Sequence, residues 1–211
     1  MEITLPARRN GAPPATLDSG ESLVIIGANG AGKTRFTDAL ADSLGPKAFR
    51  MSALEALYSR SADGRTPLED LLAKLMHDEM INLIGYKLAL ADGKDARLRP
   101  TRLDSVISLW QAVFPGNRVL IDSGKILFSK GFDDDTYSAI RLSDGERAVL
   151  YYAGAVMYAP KKAVIFIDSP ELFLHPTLTS SLWNRLEELR SDCTFCYTTH
   201  DPEFASTRNG A

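Results

Sequence analysis

The sequence predicts an α/β fold built on a mostly parallel sheet, and three observations predict it. Two short runs, Ser22-Leu23-Val24-Ile25-Ile26 and Ala163-Val164-Ile165-Phe166-Ile167, are almost continuously apolar. Strands covered on both faces read this way. The last third of the chain then alternates, with a helix over 144–158, a strand over 163–167, a helix over about 177–190 and a strand over 193–198. Such alternation returns a chain to a parallel α/β core. Finally, 211 residues suffice for one domain with a sizeable core.

The elements follow in order. Glu2–Leu5 and Thr16–Leu17 read as short strands of an N-terminal antiparallel β piece, with Asn10-Gly11-Ala12-Pro13-Pro14 turning between them. After the Ser22–Ile26 strand, a helix runs from about Gly32 to Ser43 and stops at Gly45-Pro46. Lys47–Ser52 reads as a second strand. Residues from Thr66 to Phe114 are mainly helical: Leu68, Leu71, Leu72, Leu75, Met76 and Met80 recur at helical spacing, as do Leu103, Val106, Ile107 and Trp110. Both stripes read as core faces rather than cofactor boxes. Val119–Ile121 and Ile126–Phe128, joined by Asp122-Ser123-Gly124-Lys125, form a β-hairpin. Asp133-Asp134-Asp135 reads as a solvated loop. The expected organisation is a single domain over 1–211, with a helical and β-hairpin insertion over about 60–140.

Composition narrows the function. A net charge of −3 gives no global electrostatic footprint for nucleic acid. No apolar stretch approaches the roughly 20 residues of a membrane span, and Met1–Asn10 carries no signal-peptide core. A cytoplasmic location is expected, with no membrane partner. Cys193 and Cys196 have C-x-x-C spacing, which invites a redox or zinc reading. They fall on a predicted strand, where residues three apart point to opposite faces, and no second ligand pair exists. They read as small core residues.

The strongest motif is Gly27-Ala28-Asn29-Gly30-Ala31-Gly32-Lys33-Thr34, which matches G-x-x-x-x-G-K-[ST] after a buried strand and at the opening of a helix. Small residues let backbone N–H groups close on phosphates, and the helix N-terminus adds partial positive charge. Lys33 would reach the β- and γ-phosphates of ATP, and the Thr34 hydroxyl would ligate Mg²⁺. The alternative is a glycine-rich turn that only caps a helix. Far downstream, the Ala163–Ile167 strand ends in Asp168, where a Walker B acid would hold the Mg²⁺ shell. Leu142-Ser143-Asp144-Gly145-Glu146-Arg147 opens an amphipathic helix. Ser143 and Glu146 have capping-box spacing, and a capped helix N-terminus with a serine and a glycine can also sense a γ-phosphate across a dimer interface.

LSDGER resembles the ABC signature in its L-S-x-G-E form, as in SMC-, RecF- and OLD-like ATPases. Together with GANGAGKT, VIFIDSPELFLHP and YTTHD it is similar to prokaryotic AAA-labelled, ABC-like P-loop NTPases, many of them in anti-phage defence systems. The resemblance covers nearly the whole chain and implies an ABC-ATPase-like head. It further implies a head-to-tail homodimer, with ATP between the Gly27–Thr34 loop of one copy and Ser143, Asp144 and Gly145 of the other. In Thr198-Thr199-His200-Asp201, His200 would be the switch histidine near the γ-phosphate, and His175 would lie in a dimer-contact loop.

The sequence departs from that pattern where D-E-P-E is usual and Asp168-Ser169-Pro170-Glu171 stands instead. Serine is no general base at neutral pH without one of its own. Two readings follow: slow hydrolysis that makes a long-lived switch, or water positioned by Glu171 or His200. The expected catalytic set is Lys33, Asp168, Glu171 and His200. No Q-loop glutamine follows the second strand, where Ser52-Ala53-Leu54-Glu55 stands, and the strand and helix usual after the histidine are not expected in what remains. Three function classes compete. The first is a regulatory ATPase, in a defence module and with an effector protein as partner. The second is a DNA-maintenance ATPase of RecF or SMC type, here without coiled-coil arms because roughly 110 residues without sustained heptads separate Thr34 from Ser143. The third, a transporter subunit, is disfavoured by Arg147 after Glu146 with no glutamine beyond.

Overall fold

A computed structural model describes residues 3–5, 16–17, 21–131 and 135–208. In chain order the strands and helices are β1 (Ile3–Thr4), β2 (Thr16–Leu17), β3 (Leu23–Ile26), α1 (Lys33–Leu44), β4 (Ala48–Met51), α2 (Ala53–Tyr58), α3 (Pro67–Ala91) and α4 (Arg102–Val113). They continue with β5 (Asn117–Asp122), β6 (Lys125–Lys130), β7 (Tyr137–Ser138), α5 (Asp144–Tyr158), β8 (Val164–Asp168), α6 (Pro176–Leu189), β9 (Thr194–Thr199) and α7 (Pro202–Ser206). The chain divides into two compact units, residues 1–52 with 158–211, and residues 53–157. The Asn10–Pro14 turn and residues Asp133 and Asp134 lie outside the described residues.

The first unit holds a parallel sheet in the order β3-β9-β8-β4, with Ile165 opposite Phe195 and Asp168 opposite Thr198. The two central strands are buried over almost their whole length, Val164–Ile167 of β8 and Thr194–Thr199 of β9, as strands inside a parallel sheet are. Alternation along the strands divides their side chains between the faces. Val164, Phe166 and Cys196 join Leu40 and Ala41 of α1 in one core cluster, which the antiparallel β1–β2 ribbon closes with Ile3 and Leu17. Tyr197 meets Trp183 of α6 edge-on at 5.3 Å, and Phe204 of α7 likewise at 5.3 Å. The Trp183 indole N–H donates to the Pro170 carbonyl at 3.1 Å, so α6 braces the segment that follows β8. Cys193 and Cys196 are buried free thiols, and burial pushes Cys196 up to about 12, far from a reactive thiolate.

The second unit packs α3 and α4 with an antiparallel sheet β5-β6-β7. Trp110 of α4 lies 5.0 Å from Phe128 of β6, ring to ring. The hairpin turns at Ser123 and Gly124, both at positive φ (48° and 74°). That matches the handedness a two-residue turn needs to follow strand twist. Both long helices open on capping boxes, Thr66 with Glu69 and Thr101 with Asp104. The apolar stripe of α3 is buried at Leu68, Leu75 and Met76 but not at Met80, which is half exposed. No helix among the described residues is long and apolar enough to cross a membrane.

Candidate functional site

The Gly27–Thr34 loop connects β3 to α1. The Gly27 N–H donates to the Thr199 carbonyl of β9 at 3.3 Å, and the Ala31 N–H returns to the Ala28 carbonyl at 3.1 Å. Gly30 and Gly32 take left-handed φ of 81° and 90°, which a side chain there would oppose. Gly32 is the N-cap of α1, and no acidic residue stands in that helix's first turn, so its orphan N–H groups face the loop without a competing carboxylate. Lys33 Nζ donates to the loop's own carbonyls, Gly27 at 2.6 Å and Ala28 at 3.2 Å.

These groups line a cavity of about 370 Å³ together with Asp168, Ser169 and His200. Asn29, Gly30, Gly32, Lys33 and Thr34 contribute from the loop and α1. The volume lies within the range usual for small-molecule sites. Asp168 arrives as the last residue of β8, and His200 directly follows β9. Thr34 and Asp168 thus bring a hydroxyl and a carboxylate to one cavity. Hard oxygen donors in so small a number suit Mg²⁺, which keeps waters and phosphate oxygens in its shell rather than filling a protein cage. The described residues contain no group of three or more His, Cys, Asp or Glu placed to hold a metal ion.

Ser169 occupies the position after the strand with a left-handed φ of 51°, its N–H bonded to the Thr198 carbonyl at 2.8 Å. The chain then turns tightly, Leu172 N–H to the Ser169 carbonyl at 2.9 Å and Leu174 N–H to the Glu171 carbonyl at 3.0 Å. That turn brings Glu171 Oε1 to 3.6 Å from His200 Nδ1, and both Glu171 carboxylate oxygens are buried without a hydrogen bond. The separation is an ion-pair distance and too long for a hydrogen bond. Glu171 lines a neighbouring cavity of about 480 Å³, so His200 borders the loop cavity with Glu171 behind it. His175 is the N-cap residue of α6, its ring Nδ1 2.7 Å from Thr177 Oγ1.

Ser143, Asp144 and Gly145 belong to the second unit, at the start of α5. Ser143 is exposed and makes a full capping box: its N–H and hydroxyl each donate to Glu146 Oε2 at 2.8 Å, and the Glu146 N–H returns to Ser143 Oγ at 3.3 Å. Glu146 is buried, which raises its carboxyl. The Ser143 donors and Lys130 Nζ, 3.2 Å from Oε1, outweigh that and hold it below the ordinary value. Asp144 is held by Tyr58 of α2, whose hydroxyl donates to Oδ2 at 2.6 Å, and by Arg147.

The first unit therefore gathers the loop, Lys33, Thr34, Asp168, Ser169 and His200 around one cavity, with Glu171 next to it. Two residues in contact with predicted site residues have contacts that no motif predicts. Tyr58 reaches Asp144 from a helix far away in sequence, and Thr198 of β9 donates its hydroxyl to Asp168 Oδ1 at 2.7 Å. A motif of contiguous residues cannot report pairs that only the sheet register or helix packing creates.

Residues 51–206 match the family described as "AAA domain, putative AbiEii toxin, Type IV TA system", a match that begins after the Gly27–Thr34 loop. The fold is similar to the SMC head domain from Thermotoga maritima, with a TM-score of 0.54 and 14% identity over 99% of this chain and 91% of that one. It is also similar to a chain of "a putative metal-chelate type ABC transporter", with a TM-score of 0.50 and 16% identity over 98% of this chain and 75% of that one. No curated protein sequence matches the chain. The chain belongs to this AAA-domain family and is a P-loop ATPase of the ABC/SMC-head fold.

Proposed function

We propose that the chain binds ATP with Mg²⁺, hydrolyses it slowly, and acts as a switch that closes head-to-tail on a second copy of itself. The observation that carries this reading is the single cavity lined by the loop glycines, Lys33, Thr34, Asp168, Ser169 and His200. In it the backbone of Gly27–Thr34, including Ala28, Asn29 and Ala31, cradles the β- and γ-phosphates. Lys33 leaves the Gly27 and Ala28 carbonyls to meet them. Thr34 and Asp168 hold Mg²⁺, which when bound neutralises charge developing on the phosphate oxygens.

Ser169 supplies no base, so proton removal from water falls to His200, with the Glu171 carboxylate behind its Nδ1 edge. A long Glu171–His200 contact and a serine at the usual position of the carboxylate both favour slow turnover. Ser143, Asp144 and Gly145 are the candidate γ-phosphate contacts offered to the partner copy: Ser143 is exposed at the start of α5, and LSDGER carries the resemblance to the ABC signature. The whole chain then works as one cytoplasmic ATPase head. The setting we propose for such a switch is a defence module with an effector protein as partner; a family described by a putative toxin of a type IV toxin–antitoxin system is compatible with that setting.

The test is nucleotide binding and turnover by the full chain. Native protein is expected to bind ATP with Mg²⁺ and to release phosphate slowly, and Lys33→Ala to lose both. Equal ATP affinity in native and Lys33→Ala protein would refute the assignment of the loop.

A further inference from the structure

We propose that Thr198 is the positioning residue for the metal-binding carboxylate of Asp168, committing one oxygen to the protein and leaving the other for Mg²⁺. The proposal rests on the ATP and Mg²⁺ reading above and assigns a role to a residue that contributes nothing to the cavity lining. Asp168 is exposed at the end of β8 and reaches the cavity with a short side chain whose two oxygens are equivalent until something distinguishes them. The terminal torsion of a carboxylate is broad and two-fold, so it orders only when a fixed donor holds it.

Thr198 is that donor. It lies directly opposite Asp168 in the parallel β8–β9 register, and its hydroxyl donates to Oδ1 at 2.7 Å. The competing acceptor, the Ile167 carbonyl, is 3.4 Å away, so the single hydroxyl hydrogen goes to the carboxylate. Thr198 is only 5% exposed, out of reach of a nucleotide, and it acts through Asp168 alone. A β-branched side chain has a stiff χ1, which fixes where the hydroxyl hydrogen can be delivered. The same residue's carbonyl accepts the Ser169 N–H at 2.8 Å, so one strand position sets both the carboxylate rotamer and the left-handed turn after it. One residue on, the Thr199 carbonyl accepts from Gly27, and its hydroxyl accepts the Asp201 N–H at 2.9 Å. The end of β9 thereby braces the loop and the Asp168 strand end as well as the segment that leads into His200.

Partners that orient a metal ligand typically carry about 10–100-fold in metal affinity. The experiment titrates Mg²⁺ against fluorescent ATP binding by the full chain, starting from a chelated baseline. Thr198→Val keeps the shape and removes the donor. It is expected to raise half-saturating Mg²⁺ by about 10–100-fold while leaving metal-free ATP affinity at the native value. Thr198→Ser keeps the hydroxyl and is expected to stay within a few-fold of native. Thr198→Cys, a weak donor of similar size, falls between them and serves if the valine variant does not fold. A valine variant that titrates like native overturns the proposal. So does one that loses metal-free and metal-dependent affinity in equal measure, since that is a merely structural role. If native protein binds ATP but ignores Mg²⁺, the metal role of Asp168 falls while the ATP reading stands. If native protein binds no ATP at all, the ATP reading itself is wrong and this proposal falls with it.

Discussion

The Tyr58 hydroxyl donates to Asp144 Oδ2 at 2.6 Å, and the other oxygen of that carboxylate pairs with Arg147, so the acidic residue of LSDGER is tied down on both sides within its own unit. The Tyr58 hydrogen bond is the leading reason that the Asp144 carboxyl lies below its ordinary value; burial opposes it, and Arg147 adds to it. Tyr58→Phe removes that donor and leaves the ring in place. Asp144 should then titrate at higher pH, closer to an ordinary aspartate, in a carbon-13 NMR titration of the side-chain carboxyl. An unmoved Asp144 would show that Arg147 alone holds it.

Ser169 tests the hydrolytic half of the account. It already sits at a left-handed φ of 51°, so glutamate there meets no backbone penalty that serine escapes. A positioned general base contributes typically about 10²–10⁴-fold. Ser169→Glu should therefore raise steady-state phosphate release by at least about 10²-fold at unchanged ATP affinity. If the native chain already turns over as fast as the variant, His200 and Glu171 suffice, and Glu171→Gln should then be the slow protein.

Two helical glycines predict opposite signs. A Cβ on Gly85 of α3 would meet nothing within 4 Å, so Gly85→Ala should stabilise by about 0.5–1 kcal/mol through reduced unfolded-state freedom and better helix propensity. A Cβ on Gly154 of α5 would stand 2.9 Å from Leu71 Cδ2 and 3.2 Å from its Cγ. Overpacking of that kind costs about 1–3 kcal/mol, more than the propensity gain, so Gly154→Ala should destabilise by about 1 kcal/mol. Urea unfolding of both variants decides the matter, and equal signs would contradict the packing of α5 on α3.

Acid sensitivity should concentrate at Asp192. The Arg190 guanidinium grips it with Nε at 2.8 Å and Nη2 at 3.2 Å, and the Lys162 N–H adds a bond at 3.0 Å, which together hold its carboxyl well below the ordinary 3.8. A carboxyl depressed in the folded state stabilises above its unfolded value, and that contribution disappears as pH falls through the folded value. Because Asp192 is partly exposed, screening limits the contribution to about 1 kcal/mol at neutral pH. Asp192→Asn should lose that amount at pH 7 and show a shallower fall in stability below pH about 4. Parallel acid limbs for native and variant would place the acid sensitivity elsewhere.

Much of this molecule was legible in its residues. The apolar run ending in Asp168 marked β8, which is buried from Val164 to Ile167 and has no polar face to confuse the pattern. The run before Gly27 marked β3 as well, although that strand lies at the sheet edge with Ile26 exposed rather than buried. The capping-box spacing of Ser143 and Glu146 marked the start of α5 at Asp144. The elements missed are short or defined by partners: α2 is a six-residue helix over a stretch read only as the Q-loop position, β7 has two residues and exists through its pairing with β6, and α7 follows an Asp201 cap within a stretch read only as a motif. The exposed end of α3 was hidden as well, because the helical spacing of Met80 says which face it shares but not where the core stops. Thr198 stands in a motif read for its histidine, and its contact with Asp168 stayed hidden for a similar reason: it comes from lying opposite Asp168, a fact of sheet register.

The most direct test of the central claim is the molar mass of the purified chain by light scattering, with and without ATP and Mg²⁺, at concentrations well above the expected dimer affinity. The account predicts a monomer without nucleotide and a dimer with it, persisting for as long as slow hydrolysis leaves ATP bound, and lost in Lys33→Ala. A native chain that binds ATP yet keeps a monomer's mass at saturating nucleotide would contradict it.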